Sequence, residues 1–246
     1  DSNSPYYGPI HFWDTSNVTN MSQMFKNATS FNQPIGNWDV SKVTNMNAMF
    51  GSAIAYNQNM INWDTSNVTN MQDMLAEARA FNGYIANWNT SNVTNMRGLF
   101  AGARVFNQNI GGWNTSKVTD MYMMFGSAYA FNWYIGSWDV SDVTNMGGMF
   151  DGATAYNQDM TKWCVSQFSS EPSGFSLNNS ISNSNKPVWG TCPTVLDQVG
   201  PHITNPSSGY SSLGGVTSPT FTDVTTNTQI ITCLLYTSDA ADDVRG

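Results

Sequence analysis

The sequence predicts an α/β solenoid built from coils of 25 residues, and three observations predict it. Trp13, Trp38, Trp63, Trp88, Trp113, Trp138 and Trp163 stand at one fixed spacing, so seven of the nine tryptophans share a phase. The stretch Trp13–Phe25, WDTSNVTNMSQMF, returns as WDVSKVTNMNAMF at Trp38–Phe50 and as WDTSNVTNMQDML at Trp63–Leu75. Apolar columns hold down the array, with Val at 18, 43, 68, 93, 118 and 143, Met at 21, 46, 71, 96, 121 and 146, and Ala at 28, 53, 78, 103, 128 and 153. A strict period in this range marks a stacked repeat, in which each coil buries its apolar side chains against its neighbours.

Within one coil, Val18, Met21, Phe25 and Ala28 fall at i, i+3, i+7 and i+10. That spacing predicts a short helix or helical turn from Asn17 to about Lys26, with Thr15 or Ser16 as its N-cap. Phe31 to Ile35 alternates as a short parallel strand, and Gly36-Asn37 turns the chain into the next coil. The column Asn32, Asn57, Asn82, Asn107, Asn132 and Asn157 is unbroken. An amide both donates and accepts, so this column is expected to form a ladder along the stack.

The boundaries follow from the phase. Residues 1–163 form the repeat array, 164–193 a C-terminal cap, and 194–232 a Ser/Thr/Gly/Pro-rich linker or the start of a truncated domain. Residues 233–246, beginning CLLYTSDAAD, read as a translated transposon-end sequencing adapter and are set apart from the fold. Cys164 and Cys192 have no CxxC spacing and no nearby His, which suits a disulfide in an oxidising compartment. Closing that loop contributes about 3 kcal/mol in the chain-entropy model.

Composition excludes several functions. Only 11% of the 246 residues are charged and the net charge is -8, which leaves no footprint for nucleic acid. No run of 18 apolar residues is present, so no direct membrane insertion is expected of this segment. The two histidines, His11 and His202, complete no catalytic set, and no HExxH, P-loop or GxGxxG occurs. No enzyme activity, cofactor or metal is therefore expected. Asp14, Asp39, Asp64 and Asp139 alternate with Asn89 and Asn114 in one column, which fits turn caps better than a calcium site needing six or more oxygens. The N-V-T sequons at Asn17, Asn67 and Asn92 are forced by the repeat and say little about glycans.

The unit W-D-[TV]-S-x-V-T-x-M-x-x-M-F-x-x-A-x-x-[FY]-N-Q-x-I resembles the BspA-like leucine-rich-repeat surface proteins, in particular their bacterial lipoprotein and surface-protein branch. The resemblance covers residues 6 to about 192. Its departures are local: Cys164 for Asp, Leu75 and Leu99 in the Phe25 and Met24 columns, and Trp133 for Gln. It implies leucine-rich-repeat-like coils, a cell-surface or extracellular setting, and adhesion to a surface protein or polysaccharide without catalysis. The segment Trp163–Pro193 looks like the terminal cap of such arrays.

Residues that escape the consensus carry the site prediction. Where most coils have Gln-Pro, Gln-Asn or Gln-Asp after the ladder asparagine, two have Gly83-Tyr84 and Trp133-Tyr134. Tyr84, Trp133 and Tyr134 are therefore the expected ligand-binding residues, since exposed aromatics on a rigid face are common anchors. The alternatives from other classes are a structural spacer that carries a further domain, and ice or mineral binding by the hydroxyl column of Thr19, Thr44, Thr69, Thr94, Thr119 and Thr144.

Overall fold

The computed structural model describes residues 8–193; the linker and adapter segments expected at 194–232 and 233–246 lie outside them. The chain divides into units of residues 1–200 and 201–246, and the described residues all belong to the first.

Each 25-residue segment bonds to the next in register. Isolated parallel bridges join Asn20 to Asn45, Asn45 to Asn70, Asn70 to Asn95, Asn95 to Asp120 and Asp120 to Asn145. In the first step, the N–H groups of Met21, Gln23, Phe25 and Asn27 donate to the carbonyls of Asn45, Asn47, Met49 and Gly51 at 2.9, 2.8, 2.8 and 2.7 Å. The same set recurs coil after coil.

Of the short helix or helical turn expected at 17–26, no α-helix is present. Among the described residues the only helices are two 3-10 turns, Ile10–Phe12 and Asn183–Asn185. Residues 21–28 instead form linked tight turns. Met24 N–H bonds the Met21 carbonyl at 3.3 Å and Ala28 N–H bonds that of Phe25 at 3.0 Å. The third residue of each turn, Gln23 and Asn27, has φ of 58° and 63°. A positive φ at that position defines a type II turn and is incompatible with an α-helix. The pair recurs as Ala48/Ser52, Asp73/Glu77, Gly98/Gly102, Met123/Ser127 and Gly148/Gly152. These turns rotate alternate N–H groups outward, and those groups make the bonds between coils. The turns bury residues three and four apart, as a helix does, so the apolar spacing alone does not separate the two. Thr15 caps nothing: its carbonyl accepts Val18 N–H and its hydroxyl donates to the Asp39 carbonyl of the next coil.

The bridged column also differs from expectation. It runs through Asn20, inside the expected helix, while residues 31–35 carry no bridge or strand.

The interior is made of aromatic stacks. Phe31, Tyr56, Phe81, Phe106, Phe131 and Tyr156 stack with centroids 5.7–6.0 Å apart. A second column, Phe25, Phe50, Phe100, Phe125 and Phe150, lies against it and is interrupted at Leu75. Each tryptophan of the 25-residue column, Trp38, Trp63, Trp88, Trp113, Trp138 and Trp163, donates its indole N–H to a carbonyl 28 residues earlier, as Trp88 does to Met60 at 3.1 Å. The Trp ring is thus buried with its one polar atom paired, which fixes both its size and its chemistry.

Past Trp163 the chain adds one more turn around the stack, with a one-residue shift. Gly148, Phe150 and Gly152 donate to Ser173, Phe175 and Leu177, and Gly174 and Asn178 repeat the positive-φ pair. Cys164 and Cys192 are joined by a disulfide, their Cα atoms 4.0 Å apart. Phe168 and Phe175 pack edge-on against Trp189 over the end of the core.

Candidate functional site

The asparagine column sets the framework of the candidate face. Its side-chain Oδ1 accepts the backbone N–H of the next coil's asparagine, Asn57 to Asn32 at 2.9 Å and Asn82 to Asn57 at 2.8 Å, and so on to Asn157. In four coils the residue after the ladder asparagine, Gln58, Gln108, Trp133 or Gln158, reinforces it. Gln58 Nε2 donates to the Asn32 carbonyl and Oδ1 at 3.1 and 3.0 Å, and Gln108 does the same to Asn82.

Trp133 occupies that position in the fifth coil. Its indole N–H donates to the Asn107 carbonyl at 2.8 Å, so it makes a glutamine's bond while presenting a large ring that is 42% exposed. Tyr134, adjacent in the chain, is 40% exposed. Its ring covers the backbone of Gly136, where a Cβ would stand 2.6 Å from the Tyr134 ring. Partial burial, and then the carboxylate of Asp159, push the Tyr134 hydroxyl above the usual phenol range. Tyr84 lies in the same column as Tyr134 but two coils earlier, about 10 Å away at ordinary strand spacing. It is 41% exposed, and its backbone N–H is held by Asn59 Oδ1 at 2.9 Å. Gly83 leaves its own position bare beside Tyr84, because a Cβ there would run into the Gln58 carbonyl. The three expected residues thus fall on one ladder, Trp133 beside Tyr134 and Tyr84 set apart from them. At the N-terminal end of this ladder a 360 Å³ depression is lined by His11, Pro34, Gln58, Asn59 and Ile61 among others.

Other columns have bound roles. Oδ1 of Asp14, Asp39, Asp64, Asn89, Asn114 and Asp139 accepts the N–H two residues on, at 2.9–3.1 Å. The hydroxyl and N–H of Ser16 and Ser41 hold the Asp14 and Asp39 carboxyls below the usual carboxylate range. The threonine column is exposed, and each hydroxyl from Thr44 to Thr144 donates to the preceding threonine's carbonyl at 3.1–3.3 Å. This column flanks the bridged asparagines and is not on a helix. Among the described residues no group of three or more His, Cys, Asp or Glu side chains is placed to hold a metal ion. No helix among them is long and apolar enough to cross a membrane.

One region was missed from the sequence. The turn column Ser22, Asn47, Gln72, Arg97, Tyr122 and Gly147 never repeats a residue type. On it Arg97 lies 4.1 Å over the Tyr122 ring and 4.0 Å from the Asp120 carboxylate. Next to Tyr122 a 480 Å³ groove opens toward the C-terminal turn of the stack. That loss of repetition was its one sequence signal.

A family model described as Mycoplasma protein of unknown function, DUF285, matches residues 2–91 and again residues 81–189. No curated protein and no solved structure matches the chain.

Proposed function

We propose that this chain, which belongs to the DUF285 family, is a non-catalytic binding module of a cell surface or extracellular protein, adhering to a protein or polysaccharide ligand. On this reading the stack of coils is a leucine-rich-repeat-like solenoid of the BspA-like kind. The observation that carries the reading is the aromatic set Tyr84, Trp133 and Tyr134. Each ring is about two-fifths exposed in columns whose other members, Gln, Asn, Pro, Gly and Asp, carry no aromatic ring. The Tyr84 N–H is held by Asn59 and the Trp133 indole N–H by the Asn107 carbonyl, each in the preceding coil, so these two residues are pre-organised and little ordering is needed on binding. A disulfide at the end of the stack suits an oxidising compartment.

The test is binding of the full chain to a panel of polysaccharides and matrix proteins, beside a Tyr84→Ala/Trp133→Ala/Tyr134→Ala variant of equal melting temperature. Loss of binding in the variant is the expected result. Binding that the triple change leaves intact would move the site elsewhere, and no binding by either protein would favour a spacer.

Ice or mineral binding is the second reading. It draws support from the threonine row, whose hydroxyls are ordered by the carbonyls of a bridged, extended segment. Against it, Lys42, Lys117 and Asp142 interrupt the neighbouring column. Thermal hysteresis in solution decides it.

A further inference from the structure

One column of the candidate face has a period of its own. Asn59, Tyr84, Asn109 and Tyr134 follow one another at single-coil steps, so the residue type alternates amide, phenol, amide, phenol. All four are exposed. The two tyrosines therefore stand two coils apart, and the neighbouring column adds Trp133 beside the second. The amides are only half used. Asn59 Oδ1 accepts Tyr84 N–H at 2.9 Å and Asn109 Oδ1 accepts Gly111 N–H at 3.1 Å, while neither Nδ2 has a partner among the described residues. Gln58 and Gln108 do the reverse. Nε2 donates to the ladder, and Oε1 has no donor among the described residues.

The strip is also without charge. At 32–37, 57–62, 82–87, 107–112 and 132–137, each running from a ladder asparagine to the residue before the next Trp, no Asp, Glu, Lys, Arg or His occurs. Asp159 and Lys162 of the sixth coil are the first charges on it. Such a surface offers no complement to a charged peptide, a nucleic acid or a sulfated glycan. It does offer rings for apolar C–H faces and unpaired amide groups for hydroxyls.

We propose that this strip binds a neutral β-1,4-linked polysaccharide, laid along the stack with alternate sugars on Tyr84 and Tyr134. The proposal rests on the aromatic-face reading and names its ligand class. In a β-1,4-linked hexopyranose chain each sugar is turned over relative to the last, so one face recurs at every second unit. Two coils span about 10 Å at ordinary strand spacing, which is also the length of two such sugars end to end. An extended peptide repeats its side chains every ~7 Å and runs out of step with the coils. The sugar between the tyrosines lies over Asn109, where the free Nδ2 donor and the Gln108 Oε1 acceptor meet its hydroxyls. Trp133, tied through its indole N–H to Asn107, broadens the aromatic surface beside Tyr134. Bare backbone at Gly83 and Gly136 keeps the track clear next to each tyrosine.

The experiment titrates the full chain calorimetrically with the series from cellobiose to cellohexaose, with chitohexaose, and with maltohexaose as the α-1,4 control. The expected result is a rise in affinity of about tenfold or more between cellobiose, which reaches one tyrosine, and the longer members, which reach both. Tyr84→Ala removes that step and Tyr84→Phe retains it. Cellohexaose binding holds between about 0.1 and 1 M salt, because no ion pair forms. Maltohexaose, whose α-links coil the chain, binds about tenfold more weakly or not at all. The proposal fails if neither cellohexaose nor chitohexaose binds, if affinity does not grow with length, or if maltohexaose binds equally well. If those sugars fail while a matrix protein binds and the Tyr84→Ala/Trp133→Ala/Tyr134→Ala variant loses it, the neutral glycan falls and the aromatic face stands. If that protein also binds the variant, both fall. Should Tyr84→Ala not fold, the length series on the unaltered chain decides.

Discussion

Asn82 accepts two hydrogen bonds on its side-chain oxygen, from Asn107 N–H at 2.9 Å and from Gln108 Nε2 at 3.0 Å. It also gives its own N–H to Asn57 Oδ1 at 2.8 Å. One amide thus ties three coils. Asn82→Ala leaves the Asn107 N–H without its acceptor and is expected to cost about 1–3 kcal/mol. Asn82→Asp keeps the acceptor and should lose less. Urea denaturation of both variants checks the order, and equal losses would mean that the ladder bond contributes little.

Tyr56 and Tyr156 sit in a column otherwise made of phenylalanine, fully buried, with hydroxyls that have no partner among the described residues. Tyr56→Phe and Tyr156→Phe should be neutral or stabilising by about 1 kcal/mol, because each removes an unpaired buried polar group. The same groups set an alkaline limit. Burial raises both phenol pKa values far above the usual range. The folded form therefore holds these protons after the unfolded chain has released them, and stability falls as pH rises above about 10. The double Phe variant should show a shallower alkaline limb in pH-dependent thermal melts.

Asp39 and Asn89 make the same bond to a serine N–H two residues on. Asp39→Asn should leave stability near neutral pH almost unchanged. Its effect belongs at low pH. The folded carboxyl titrates below its unfolded value, so its stabilising contribution exists above about pH 4 and disappears as pH falls through the folded pKa. Acid unfolding followed by circular dichroism should show a shallower acid limb in the variant.

Ser52 holds φ at 59°, and its column counterparts Gly102 and Gly152 hold 71° and 70°. Left-handed backbone costs a non-glycine residue about 1–2 kcal/mol, while glycine loses roughly 0.5–1 kcal/mol through its freer unfolded chain. Ser52→Gly should thus stabilise slightly, and Ser52→Val should destabilise. Melting temperatures of the pair would expose an error in sign.

The buried columns could be read from the sequence, because size and polarity repeat wherever a side chain meets its own copy above and below. Val68, Met71, Ala78 and Trp88 are at most 3% exposed. The backbone between them was less legible. Met21, Phe25 and Ala28 have the spacing of a helix face, and only Gly98, Gly102, Gly148 and Gly152 betray the left-handed positions that forbid one. Where Gln23, Ala48 or Met123 takes the same φ, the side chain gives no warning. Tyr84, Trp133 and Tyr134 were visible as departures from a pattern, and the structure leaves each partly open to solvent. The groove beside Tyr122 was not visible. It arises from one extra residue between Gly148 and Gly174, and a shift of one carries no signature in composition or spacing.

The inter-coil bonds have a consequence for how such a chain can change length. Met71 N–H meets Asn95 and Leu75 N–H meets Leu99 because each lies a fixed count of residues further on. A deletion of one residue inside a coil would set that coil one residue out of step with its neighbours and break the bonds that join them, while the later coils keep their own register. Removal of a whole period returns each group to an identical partner. The length of this protein is therefore quantised: it can grow or shrink by entire coils at small cost, and by single residues only at its rim.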